Sequence, residues 1–260
     1  MTDSEFRPAL LVIDMQEDFC PPSGALAVAS GRDIIPLINR LLALPTIPLK
    51  IATKDWHPPN HVSFAANHPL DDGLPPSSSS SSPSSSSDAN PHPKPTKRPF
   101  LDTTVIANPR NPSERYTTRL WPVHCVQHTP GASLVPELDV SRVQHVIEKG
   151  TSPDVEMYSA FCPPLRDPKV SDSGLAALLR ENGTTHVYVV GLAGDYCVRS
   201  TAEDAVREGF VAYVVEEATK AVDPGLWEDV KKEMEEKGVR VVSVDGPEVR
   251  RLFQEKGGSE

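Results

Sequence analysis

Long apolar runs, an excess of positive charge and a cysteine framework are all missing from this 260-residue chain. No run of about 18 apolar residues occurs, so no segment is expected to cross a bilayer. Lys plus Arg number 26 against 36 Asp plus Glu, a formal charge of −10. Nucleic acid and membrane are therefore not expected as partners, because both need a concentrated positive face. The opening MTDSEFRPALLVIDMQEDF carries acids on both sides of its apolar stretch, the wrong order for a secretory leader. Cys20, Cys125, Cys162 and Cys197 are scattered, with no CxxC pair, which argues against a disulfide scaffold and for a reducing compartment. Taken alone, each reads as a small buried hydrophobe.

Proline and serine are concentrated instead. Ten of the 27 prolines fall between Pro69 and Pro112, around SSSSSSPSSSS at 77–87. Such composition offers little apolar surface to offset its ordering entropy. The reading is a single domain over residues 1–260 with a loosely held Ser/Pro-rich insert at about 73–115. Closing so long a loop costs little more than closing a short one. Its basic piece HPKPTKRPF, with three positive charges, is a weak localisation signal.

Elsewhere short apolar runs alternate with helical patterns. Ala9–Ile13, Leu49–Thr53, Val143–Ile147, His186–Val190, Val211–Val215 and Val239–Val242 read as strands. Ile34, Leu37, Ile38, Leu41 and Leu42 have the spacing of an amphipathic helix, with Pro36 tolerable in its first turn. Further helices are expected around Leu175–Arg180, Val198–Glu208, Leu226–Lys237 and Pro247–Phe253. Apolar strands joined by helix-length spacers predict an α/β fold. Its form is a three-layer, doubly wound, mostly parallel sheet with helices on both faces. Ligands in such sheets bind beyond the carboxyl ends of the strands.

Chemistry-bearing residues collect at those ends. Asp14 closes one strand, Asp55 and His57 follow a second, Lys149 a third and Cys197 a fourth. Cys197, in VVGLAGDYCVRSTAEDA, is placed at the first turn of a helix, where the macrodipole and free N–H groups would lower a thiol's pKa. Those N–H groups could also receive an oxyanion. Alone, the segment reads equally as a tight turn with an inert cysteine; its GLAG lacks the G-x-G-x-x-G spacing. Asp14 and Lys149 could each be solvated strand-end charges. Together with Cys197 they make an acid, a base and a nucleophile at one rim. KDWHPPNH (54–61) and RLWPVHCVQHT (119–129) supply Asp55, His57 and one more donor for an Asp/His/His metal set. Cys125 and His128 compete for the third place on composition, and solvent-facing loop histidines are the alternative. His68, His92, His145 and His186 have no evident partner in the sequence.

These segments resemble the isochorismatase-like cysteine hydrolases, and among them the fungal-type nicotinamidases. The matching pieces are LLVIDMQEDFCPPSGALAV, ATKDWHPPNHVSFAANHP, LWPVHCVQHTPGASL, EKGTSPDVEMYSAF and VVGLAGDYCVRSTAEDA. They cover most of the chain outside the insert, which is where the sequence departs from the family. The resemblance implies hydrolysis of the linear carboxamide C–N bond of nicotinamide, a small-molecule substrate, with pyrazinamide as a second one, in NAD salvage. It implies Asp14 as general base, Lys149 as its partner and Cys197 as the nucleophile forming a thioester. It implies a cis Leu192–Ala193 bond, with the backbone N–H groups of Ala193 and Cys197 as oxyanion hole. The metal ligands would be Asp55, His57 and His124, holding zinc, with iron or manganese as alternatives. Phe19, Trp121 and Tyr158 would line the substrate pocket, with His61 placed there as well, supporting the ligands or adding to them. Other carboxamides, isochorismate, or a non-catalytic ligand-binding or scaffold role are the competing readings. A cytoplasmic location is expected, with nuclear entry left open, and a homo-oligomer is compatible with the sequence.

Overall fold

The computed structural model describes residues 6–70 and 96–254. The polyserine run, His92 and the C-terminal GGSE lie outside the described residues. Six strands form one parallel sheet: β1 (Pro8–Ile13), β2 (Leu49–Asp55), β5 (His145–Lys149), β6 (His186–Leu192), β7 (Val211–Lys220) and β8 (Arg240–Val242). Their order is β5-β2-β1-β6-β7-β8. Every residue of β1 is buried, as expected of a central parallel strand covered on both faces. At the edge, β5 leaves Val146 exposed and begins two residues later than the apolar run suggests.

Side chains alternate across each strand, so the sheet carries two cores. Leu10 and Val12 point to one face, where Ile35, Ile38, Leu41 and Leu42 of α1 (Ile35–Leu42) pack with Val249 of α5 (Pro247–Arg250). Ala9, Leu11 and Ile13 point to the other face. There they meet Leu175 and Leu179 of α2 (Leu175–Glu181), Ala202 and Ala205 of α3 (Arg199–Arg207), and Val230 and Met234 of α4 (Trp227–Glu236). The three layers follow the sequence expectation. Pro36 sits at the start of α1, where its missing N–H costs nothing.

One expectation is corrected. The sequence places the stretch ending at Arg115 in a loose insert, but β3 (Thr103–Asn108) and β4 (Asn111–Arg119) form an antiparallel hairpin. Ile106 is buried against Val155 and Leu165, which gives the hairpin its own small core. Most of its other side chains are exposed or half-buried, so it carries little of the apolar signal by which the main-sheet strands are read. β4 leads directly into the Trp121–His124 segment and so sets its position.

The carboxyl ends of the central strands converge. β2 and β5 pair Asp55 with Lys149, and β1 and β6 pair Ile13 with Gly191. Gly191 has φ +110, and a Cβ there would lie 2.2 Å from the Ile13 carbonyl oxygen, so only glycine permits this approach. The chain then turns through the cis Leu192–Ala193 bond into the strand's C-terminal turn.

Candidate active site

Asp14 follows β1 with φ +48, which turns the chain out of the sheet and leaves its carboxylate fully buried at the rim. Thr53 Oγ1 donates to Asp14 Oδ1 at 2.5 Å. Asp14 Oδ2 lies 3.0 Å from Lys149 Nζ. Lys149 also donates to the Asp55 carboxylate, to the Met157 carbonyl at 3.2 Å and to Cys197 Sγ at 3.4 Å. Ligand atoms of Asp14, Asp55 and Cys197 fall within 4.8 Å of one another. Asp14 and Cys197, singled out with Lys149 as acid, base and nucleophile, thus meet at the Lys149 ammonium.

Electrostatics fixes their charge states. Burial opposes the charge on Lys149, but Asp14 and Asp55 outweigh it and hold its pKa well above the ordinary lysine range. Burial pushes Asp14 up; Lys149 pulls against it, and Asp55 adds to the rise. Asp55 goes the other way: burial would raise it, yet Lys149 and then His57 hold it well below the carboxylate range.

Cys197 corrects the sequence reading. It lies in a π-helical turn (Gly194–Val198) before α3, not in the first turn of an α-helix. Its thiol is pushed well above the usual range, first by burial, with Lys149 lowering it and the Asp14 and Asp55 carboxylates raising it. Burial and two adjacent carboxylates act against any helix-terminus field at this sulfur.

The second cluster lies against the first through Asp55. Its Oδ2 is 3.5 Å from His57 Nε2 and 4.0 Å from His124 Nε2. Each imidazole is turned by a carbonyl: Gly150 holds His57 Nδ1 at 2.8 Å and Pro122 holds His124 Nδ1 at 2.8 Å. With Nδ1 carrying the proton, both Nε2 lone pairs face Asp55, the arrangement of metal-ligating histidines. Among the described residues, His57 Nε2 is one of two buried side-chain atoms without a hydrogen bond; the other is Asp14 Oδ2. An orphaned imidazole nitrogen beside a carboxylate and a second imidazole fits a divalent cation. Burial, with His57 beside it, lowers His124 to about 4, whereas His57 is raised because Asp55 outweighs its burial.

The rival donors are elsewhere. Cys125 is buried with φ +46, its N–H on Asp18 Oδ2 at 2.6 Å, and its sulfur near the Gly131 carbonyl. His128 stacks edge-on against Trp56. His61 needs correction, because it does not line the cavity. Its ring stacks behind His57 at 3.9 Å, with Nδ1 on Ser63 Oγ and Nε2 on the Val155 carbonyl. Both nitrogens are engaged, so His61 buttresses His57 and offers no open lone pair.

Phe19, Trp121, Tyr158, Asp55, His124, Ala193 and Cys197 do line one cavity, with about 370 Å³ of empty space including its mouth. Tyr158 Oη accepts from Trp121 Nε1 at 2.9 Å and pairs with Thr118 Oγ1 at 2.8 Å, so the corrected hairpin braces this wall. Sequence reasoning missed Tyr196, Val222 and Glu156 on the lining. Glu156 is buried and raised by that burial, and its Oε1 accepts the Met157 N–H at 2.8 Å. An acid between Val155 and Met157 was the available signal.

The family model for the isochorismatase domain matches residues 96–246. A nicotinamidase of Acinetobacter baylyi is 39% identical over 237 residues, 90% of this chain and 92% of its own. The chain belongs to the isochorismatase family. Among solved structures, yeast nicotinamidase bound to the inhibitor nicotinaldehyde superposes with a TM-score of 0.75 at 30% identity, covering 91% of this chain and 99% of that one. Pyrazinamidase of Pyrococcus horikoshii in complex with zinc gives 0.61 at 34% identity, covering 91% and 99%.

Proposed function

We propose that this protein is a nicotinamidase, hydrolysing nicotinamide to nicotinate and ammonia through a cysteine thioester, with pyrazinamide as a second substrate. The observation that carries the reading is Lys149 Nζ, 3.4 Å from Cys197 Sγ and 3.0 Å from Asp14 Oδ2, where Cys197 lines an aromatic cavity. Similarity to nicotinamidases over 90% or more of the chain supports the same substrate class.

Asp14 is the base. Its Oδ2 faces the Lys149 ammonium at 3.0 Å and its pKa is raised, so it can take the Cys197 proton as sulfur attacks the carboxamide carbon. Lys149 balances the negative charge that moves between carboxylate and sulfur. The tetrahedral oxyanion is received by the N–H groups of Ala193 and Cys197. The Ala193 carbonyl is tied down by Tyr196 N–H and Val198 N–H, each at 3.1 Å, which orders this turn. As the C–N bond breaks, Asp14 returns the proton to the leaving ammonia. Asp14 then takes a proton from water, hydroxide attacks the thioester, and the thiolate leaves and is reprotonated. Phe19, Trp121 and Tyr158 hold the ring and exclude bulk water.

A divalent cation held by Asp55, His57 and His124, which we infer to be zinc, would supply a Lewis-acid contact that orients the pyridine nitrogen. Side-by-side ammonia release from nicotinamide, pyrazinamide and benzamide tests the reading. Nicotinamide and pyrazinamide should be hydrolysed and benzamide, which lacks the ring nitrogen, should be poor. Equal rates on all three would overturn the ring-nitrogen part, and no release from any would overturn the activity.

A further inference from the structure

We propose that Gln16 is a positioning residue for Asp55, its side-chain amide replacing the strand backbone that β1 withdraws at Asp14. The β1–β2 ladder ends at the pair Val12 and Ala52, yet β2 runs on to Asp55. The left-handed turn at Asp14 takes the β1 backbone away, so Asp55 would face an empty place on that side. Gln16 fills it. Its Oε1 accepts the Asp55 N–H at 2.8 Å, and its Nε2 donates to the Asp55 carbonyl at 2.8 Å. The second Nε2 hydrogen goes to the Ala132 carbonyl at 3.0 Å.

A carboxamide carries the same acceptor and donor as a peptide group, so it satisfies the Asp55 N–H and carbonyl on the side that β1 has left. Only one orientation of the amide satisfies an N–H and two carbonyls at once. Gln16 has no exposed surface, so bulk solvent does not serve Asp55 on that side. The consequence falls on Asp55, whose carboxylate is shared between Lys149 and the His57–His124 pair. Fixing the main chain of this one residue fixes the ammonium and the candidate cation site relative to each other. Ala132 belongs to the turn that follows the His124 segment, so the same amide also ties that segment to β2.

The inference rests on reading Asp55, His57 and His124 as a metal site, and its test does not depend on turnover. Zn²⁺ affinity is measured by chelator competition on metal-free protein, at a temperature where circular dichroism shows every variant folded. Gln16→Met keeps the length and removes all three bonds; Gln16→Glu keeps the acceptor and sets an oxygen against two carbonyls. Both should bind Zn²⁺ about 10–100-fold more weakly, the usual effect of losing a group that orients a ligand. Leu41→Ala, which opens a cavity at a core position of α1 that lines neither the cavity nor the candidate cation site, should lower the melting temperature and leave Zn²⁺ affinity unchanged. Affinity for Gln16→Met within about twofold of wild type, or an equal loss in Leu41→Ala, would overturn the inference. If wild-type protein binds no Zn²⁺, the metal reading fails by itself. Hydrogen exchange at the Asp55 amide then decides on its own: protection in wild type that is lost in Gln16→Met supports the clamp, and equal protection refutes it.

Discussion

The Gly150 carbonyl accepts the Nδ1 proton of His57 at 2.8 Å, while the Gly150 α-carbon lies so close that a Cβ would come within 2.4 Å of the imidazole. Gly150 also has φ +65, a conformation that favours glycine. Gly150→Ala should therefore displace the ring and weaken Zn²⁺ binding about 10–100-fold, measured by chelator competition. Unchanged affinity would show that His57 is not held this way.

Metal removal separates site from scaffold. Asp55, His57 and His124 lie on segments already anchored by the sheet and the 57–126 bridge, so the fold does not depend on a cation. Dialysis against a chelator should lower nicotinamide turnover more than about tenfold, a loss of at least ~1.4 kcal/mol in transition-state stabilisation. Far-UV circular dichroism should stay the same, and added Zn²⁺ should restore activity.

Asp14 predicts the acid side of the pH profile. It must be ionised to accept the thiol proton, and burial raises its pKa against the pull of Lys149. Activity should therefore fall as pH drops through that raised value. The midpoint of the acid limb of kcat/KM should lie above the ordinary aspartate value of about 3.9. Asp14→Asn should lose about 10²–10⁴-fold, the span of general-base contributions, without a compensating change in KM. A flat profile down to that ordinary value would contradict the assignment.

Tyr158→Phe probes the pocket wall. The phenol oxygen accepts from the Trp121 indole, and its loss leaves that buried N–H unpaired at a cost of about 1–3 kcal/mol. Trp121 should become less ordered against the substrate ring. KM for nicotinamide should rise several-fold with kcat changed less, whereas a fall in kcat alone would give Tyr158 a role in the chemistry.

The fold was legible wherever burial leaves a mark on composition. β1, β6 and β7 are runs of apolar residues because both of their faces are covered, and α1 shows its stripe because one face is covered. Asp14, Asp55, Lys149 and Cys197 stood out because each interrupts or follows such a run. The β3–β4 hairpin was hidden because its strands alternate exposed and half-buried positions beside a low-complexity tract. Residue spacing also could not reveal the burial at Cys197, which pushes its thiol up against the helix-terminus effect. His61 had the right type and the right loop, but only the fold shows that its ring turns behind His57. Gln16 carries no charge, and its role depends on a gap in a ladder that exists only once β1 and β2 are paired.

Ammonia release from nicotinamide by wild type and Cys197→Ala, with binding of the metal confirmed in both, tests the central claim most directly. Wild type should turn over, and the variant should lose at least about a thousandfold in kcat, because Ala supplies no atom that can form the thioester. A variant that releases ammonia at the wild-type rate would contradict the account.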